Sequence, residues 1–405
     1  MGPDGGWVTL EKVVTESVLS RKGSGVLAPI GGLFLFAVAT GYLMSILPLS
    51  VAGLSMPAEM AAWLASALYA GLLLGALCVE PLITRLGHRP ALMLSLLVLS
   101  VTVAVMAALP HPLLWLAMRL LAGVATAGVF VVIESWLLLV EDERQRAGRL
   151  GLYMAALYGG NALGQLMINL LGVGGAWPLL VVMGLMLLAA VPPLLSRAGV
   201  VSPLGAECHS EPVSLRSISM PAVLGCVISG LVLGPLYGLM PVFLDQQESV
   251  ADLTGVMMAL VVLGGMAVQP LGSWMSARVG KTLLMALFSL AGVMAAVILV
   301  LASTPLEFGL GMLLLGASAF VLYPVAINQA CEGRASAQIV RITQLMLISY
   351  SLGSVAGPLL VQAMAALAIG LLQYLGIVFL ATSLYMLVSA LRRAPALLEP
   401  PAGME

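Results

Sequence analysis

Two ionisable side chains, Arg119 and Glu134, stand inside one long apolar run, so the chemistry open to them is charge and proton binding in poorly hydrated surroundings. Either residue costs roughly 2.5–3.5 kcal/mol at the middle of a membrane helix, so each needs a partner or water. Their fifteen-residue spacing amounts to four helical turns plus about 60°, which lets both face one cavity. The rise between them is about 22 Å, too long for a direct salt bridge. A carboxylate whose surroundings alternate between wet and dry changes its proton occupancy. Glu134 is therefore a proton-coupling candidate, and Arg119 a candidate for the substrate or proton path. The structural alternatives are a Glu that caps loops near Glu141 and Arg144, and an Arg that bonds backbone carbonyls. The other polar side chains of the apolar runs extend the set of cavity candidates to Tyr42, Tyr69, Asn161, Gln165, Tyr237, Gln269, Tyr323 and Asn328. Any one amide among them serves equally well as glue between helices.

Other chemistry finds no footing. Cys78, Cys208, Cys226 and Cys331 are scattered, with no C-x-x-C and no histidine at ligand spacing, so neither a disulfide nor a metal site is expected. His88, His111 and His209 all fall in loops, and no paired carboxylates share a membrane face, which speaks against an enzyme. No G-x-x-x-x-G-K-[ST] is present, so ATP use is not expected, and no cofactor is implied. A net charge of −1 with no basic stripe gives no reason to expect nucleic acid.

The elements that must position these residues are membrane helices. Of 405 residues 61% are apolar and 9% charged, and the mean hydropathy is +1.10; soluble domains carry about 25% charged residues. About 20 apolar residues cross the hydrocarbon core. By that ruler, spans fall near 27–53, 59–82, 90–109, 113–140, 147–172 and 177–195, then near 220–244, 253–276, 282–303, 307–331, 342–365 and 371–391. The uncharged stretch 342–391 is too long for one helix, and a tight turn is expected near Gly370. The organisation that follows is an N-terminal tail (1–25), a six-helix bundle (26–196), a polar linker (197–219), a second bundle (220–391) and a C-terminal tail (392–405). With both termini cytoplasmic, every Lys and Arg of the seventeen except Arg119 lies on the inner side, while Glu59, Asp245, Glu248, Asp252 and Glu307 lie outside. The expected setting is the bacterial plasma membrane, as a multi-pass protein surrounded by lipid and acting as a monomer.

Sliding the chain on itself by 193 residues exposes an internal repeat. Gly41 falls on Gly234, Gly71 on Gly264, Gly87 on Gly280, Gly123 on Gly316, Gly160 on Gly353 and Gly164 on Gly357. Pro48 and Pro241 also coincide, as do Arg85 and Arg278. Chance would supply about two such glycine pairs. Six spans separate the copies, so the halves are parallel repeats about an axis along the membrane normal. Spans 3, 6, 9 and 12 carry no charge in mid-span and almost no amide, as expected of outer supports, whereas the others carry the polar residues and should line a central path.

These residues resemble the major facilitator superfamily. Thr84-Arg85-Leu86-Gly87-His88-Arg89, with its second copy Ala277-Arg278-Val279-Gly280-Lys281, is similar to that family's signature between spans 2 and 3, and Arg119-x-x-x-Gly123 to its span-4 motif. Gly225 to Pro241, Leu322-Tyr-Pro-Val-Ala326 and Val132-Ile-Glu-Ser135 resemble the YcaD-type subfamily. The resemblance implies the major facilitator fold, an all-α membrane protein of twelve helices, and secondary transport of a small solute by alternating access, with proton coupling. It also implies a cytoplasmic gate built on Glu80, Arg85, Gly87, Arg89, Arg278, Gly280, Lys281 and Arg341. The signature's Asp is replaced by Thr84 here, and Glu80, one helical turn earlier, is expected to supply the missing carboxylate to Arg144 or Arg341. Span 5 has Gly160-Asn-Ala-Leu-Gly164-Gln165 in place of the Gly-Pro-x-x-Gly-Gly of drug/proton antiporters, which weakens the alternative of an amphiphile efflux antiporter. A transporter-like membrane sensor is the alternative of another class.

Overall fold

The computed structural model describes residues 7–54, 56–138, 143–195, 218–334 and 336–393, and among them all regular structure is helical. The first half comprises α1 (Trp7–Gly53), α2 (Met60–Leu86), α3 (His88–Ala108), α4 (Pro112–Leu138), α5 (Glu143–Leu171), α6 (Trp177–Ala189) and the short α7 (Val191–Leu195). The second comprises α8 (Met220–Gly238), the short α9 (Met240–Asp245), α10 (Thr254–Ser276), α11 (Lys281–Leu301), α12 (Pro305–Cys331), α13 (Ser336–Ala365) and α14 (Leu371–Arg393). Pro192 and Pro193 open α7 and Pro241 opens α9, where their missing N–H groups would otherwise interrupt a helix. Spans 6 and 7 are thus each built from two helices end to end, the second one short.

Among the described residues eleven helices are long and apolar enough to cross a membrane. The twelfth, α5, has 29 residues, but Asn161, Gln165 and Asn169 lower its hydropathy. One detail departs from expectation. α1 is a continuous helix of 47 residues, about 70 Å long, although only Ala28–Val51 is strongly apolar. The segment expected as the N-terminal tail is helical from Trp7 and continuous with the first span. The tight turn expected near Gly370 is present between Ala365 and Leu371, with its left-handed position (φ 58°) at Ala368. Loops alternate between an acidic end, with Glu59, Asp245, Glu248 and Asp252, and a basic end, with Arg85, Arg89, Arg278 and Arg334.

The repeat recurs contact by contact. A side chain on Gly71 would overlap the Leu120 carbonyl, and one on Gly123 the Leu68 carbonyl, so α2 and α4 cross backbone to backbone. In the second half Gly264 stands against Leu313 and Gly316 against Val261, each partner 193 residues on. Gly160 and Gly164 bring α5 onto Phe34 and Val38 of α1; Gly353 and Gly357 bring α13 onto Val227 and Leu231 of α8 by the same shift. Close approach without a Cβ is what joins helices where lipid removes the hydrophobic drive.

Each half has its own apolar core. α3 packs on α4 and α6, and α11 on α12 and α14, as outer supports do. The interface between halves is formed chiefly by α5 against α10 and by α2 against α13 and α8.

Candidate transport site between the two halves

At the acidic end the halves are sealed together. Ser66 Oγ on α2 donates to the Val355 carbonyl on α13 at 2.8 Å. The Asn169 amide on α5 donates to the Asp252 carbonyl, and its Oδ1 accepts from the Val256 N–H at 3.1 Å. Between these points Ala162 of α5 packs on Ala259 and Val262 of α10. Two glycines make the seal close: Gly238 lies against Ala65, and Gly255 against Gln165 and Asn169.

Below the seal, aromatic side chains from both halves meet. Tyr158 of α5 meets Phe320 of α12 edge to face with ring centroids 5.6 Å apart, and Tyr237 of α8 meets the same ring at 6.0 Å. The ring centroids of Tyr323 and Tyr350 are 5.0 Å apart, and the Tyr350 phenol lies within electrostatic reach of that of Tyr69 on α2. Such offset geometries suit rings whose faces are negative and edges positive. The cluster could stack on an apolar or aromatic solute and offers phenol groups for hydrogen bonding.

The two charged candidates flank this cluster. Arg119 is 5% exposed. Its Nε donates to the Leu64 carbonyl at 3.4 Å, and it borders a small cavity lined also by Tyr69, Tyr237, Leu64 and Gly238. That cavity has room for about one water molecule. Glu134, toward the basic end, is exposed, and its carboxylate lies within electrostatic reach of Tyr153 on α5 and Tyr323 on α12. It therefore borders both halves while its side chain remains exposed.

The remaining candidates divide. Tyr69, Tyr237 and Tyr323 belong to the cluster. Tyr42 does not: it is fully buried and its phenol donates to the Gly172 carbonyl within its own half. Gln165 is likewise 0% exposed and accepts from Ser45 Oγ at 2.6 Å. Gln269 donates to the Gly265 and Phe320 carbonyls of the second half. Asn161 is half-buried beside the seal, and Asn328 is exposed toward the basic end. Tyr153, Tyr158, Phe320 and Tyr350 escaped sequence reasoning, since nothing in their spacing shows which way the rings turn.

The gate residues each hold on to their own half. Arg89 donates to the Leu194 carbonyl; Arg278 donates to the Trp274 carbonyl and covers that indole, 4.2 Å from its centre. Lys281 pairs with Glu332 at 2.8 Å, and Arg341 donates to Gln344 at 3.3 Å. Arg85 is exposed. Gly87 turns the chain with φ 81°, whereas its repeat mate Gly280 has an ordinary φ of −55°. The carboxylate of Glu80 and the side chain of Arg144 lie outside the described residues, and so does the latch expected of them.

Comparison with known proteins decides the family. The sequence pattern described as Major Facilitator Superfamily matches residues 30–358. The chain belongs to the major facilitator superfamily. Members of this family are membrane transporters and not enzymes. An uncharacterised MFS-type transporter of Enterobacter sp. (strain 638) is 33% identical over 347 residues, 84% of this chain and 88% of the relative. The MFS-type transporter YcaD of Salmonella enteritidis PT4 is 31% identical over 335 residues, 81% of this chain and 85% of the relative. Among solved structures, the nucleoside transporter NupG superposes with a TM-score of 0.72 at 14% identity, covering 93% of this chain and 100% of that one. The E. coli fucose:proton symporter FucP gives 0.62 at 13% identity, covering 91% and 98%. At these identities the superpositions speak for the fold alone.

Proposed function

We propose that this major facilitator protein is a secondary transporter that moves a small solute by alternating access and couples the movement to protons through Glu134. The observation that carries the reading is the asymmetry of the interface: closed over the aromatic cluster at the acidic end, with Glu134 exposed beneath it. The positive-inside rule puts the basic end in the cytoplasm, with both termini, in the bacterial inner membrane. This conformation is then inward-facing. Rocking the halves apart at the acidic end would break a few hydrogen bonds and glycine contacts, expose the cluster to the outside and close the inner half over Glu134. A carboxylate dried in that way favours its protonated form. One proton moving down about 100 mV supplies roughly 2.3 kcal/mol, enough for a solute gradient of about 40-fold.

The test is solute accumulation by proteoliposomes under an imposed pH gradient, screened over a metabolite panel. Wild type should concentrate at least one solute, and a protonophore should abolish the accumulation. Glu134→Gln should retain downhill exchange but not uphill accumulation. Uphill accumulation by Glu134→Gln with an unchanged pH profile would remove the coupling role.

A further inference from the structure

Arg119 is a buried cation without an anion. Among the described residues no carboxylate pairs with it; its hydrogen bond to Leu64 engages Nε, and the residue borders the cavity. The group with which it interacts electrostatically is the phenol of Tyr69. A guanidinium kept at 5% exposure beneath the outer seal costs free energy in every cycle unless something supplies the opposite charge. The planar fork of donors suits a carboxylate or phosphate better than any neutral group.

The walls around it narrow the choice further. Apart from Arg119 and the phenols of Tyr69 and Tyr237, the lining is Met44, Leu47, Leu64 and Leu68 with their small neighbours. The Tyr158–Phe320–Tyr237 rings lie close by. A single charge of one sign surrounded by apolar and aromatic surface matches a ligand that carries one negative group on an apolar or aromatic body.

We infer that Arg119 and Tyr69 form a subsite for the anionic group of the solute, and that this transporter handles organic anions. This rests on the transport reading above and names the class of cargo. In the conformation described the cavity holds about one water, so the head group enters when Gly238 and Tyr237 draw away from α2 and α4. Glu134, about 22 Å further along α4, is left free for the proton.

The experiment uses the purified full chain in detergent and reads thermal unfolding with four probes: benzoate, phenyl phosphate, the neutral isostere benzamide, and benzyltrimethylammonium. Benzoate or phenyl phosphate should stabilise the protein, and the stronger of the two identifies the head group. Benzamide and the ammonium probe should not. Arg119→Gln should weaken anion binding by at least ~10-fold, the loss expected for a charge-assisted hydrogen bond, and Arg119→Lys should recover part of it. If Arg119→Gln does not fold, the comparison of anions with their neutral and cationic isosteres on wild type decides alone. Stabilisation by benzamide or the ammonium probe equal to that by the anions, no response to either anion, or an unaltered response in a folded Arg119→Gln would overturn the subsite. Anion binding without flux in proteoliposomes would leave it standing and count against the transport reading instead. Flux of a neutral or cationic solute with no anion response would do the reverse.

Discussion

Gly238 and Gly255 decide whether the outer seal can close. A methyl carbon added at Gly238 would stand 2.5 Å from the Ala65 methyl, where ordinary contact begins at 3.4 Å. α8 would have to retreat from α2 by about 1 Å. At Gly255 a methyl would meet the Gln165 carbonyl and the Asn169 amide oxygen that caps the start of α10, and a backbone carbonyl cannot swing aside. Overpacking of this kind costs about 1–3 kcal/mol. Both contacts join opposite halves, so the cost falls on the sealed state and not on the fold of either bundle. Gly255→Ala should therefore raise the ratio of outward- to inward-facing protein by about 5- to 150-fold, and Gly238→Val should act in the same direction. The assay is labelling of a single cysteine at Leu68, which lines the cavity under the seal, by an impermeant maleimide applied from outside in a background free of native cysteines. Gly184, which has no neighbour within 4 Å of an added methyl, is the control. Unchanged labelling in Gly255→Ala, or an equal rise in Gly184→Ala, would refute the seal.

Other outcomes follow from the same contacts. Gly71→Val and its repeat mate Gly264→Val place a side chain on a backbone carbonyl inside a single half. Both should lose at least about 1–3 kcal/mol of stability, seen as similar falls in Tm, and a wild-type Tm in either would break the equivalence of the halves. Lys281→Gln removes an ion pair whose acid is 64% exposed. It should change stability by no more than about 1 kcal/mol, and a loss of folding would mean the pair does more than its exposure implies.

Much of the fold was legible because its constraints repeat. The 193-residue shift that aligns Gly71 with Gly264 and Gly123 with Gly316 works because a glycine is required wherever two backbones touch, and the duplicated halves touch at equivalent places. The glycine row Gly230, Gly234 and Gly238 reads as one packing stripe in sequence. In space it divides: the first two meet α13 of their own half, and the last meets Ala65 across the interface. Gly255 has no repeat mate, since position 62 is alanine, and so gave no signal.

The site was only partly legible, for a different reason. Tyr42 and Tyr69 are the same residue type on neighbouring lining spans, yet one phenol is committed to the Gly172 carbonyl and the other meets Tyr350. Residue type tells what a side chain can do, whereas helix rotation tells whether it is free to do it. The charged pair was easier, because a cost of several kcal/mol leaves few uses for an Arg or Glu inside a span. The extension of α1 back to Trp7 was not foreseen because hydropathy marks where a helix enters lipid, not where it starts.

The central claim is that the halves exchange between two states and that protonation of Glu134 biases the exchange. It is tested most directly without knowing the cargo, by measuring outside labelling of the Leu68 reporter between pH 5.5 and pH 8 in wild type and Glu134→Gln. On the proposed mechanism Glu134 is wet in the inward-facing state and dried in the other, so protons should bind more tightly to the outward-facing state, and acid should raise outside labelling in wild type. The neutral Gln should hold labelling high and flat across the range. Labelling absent at every pH in both proteins, or the wild-type pH response retained in Glu134→Gln, would contradict the account.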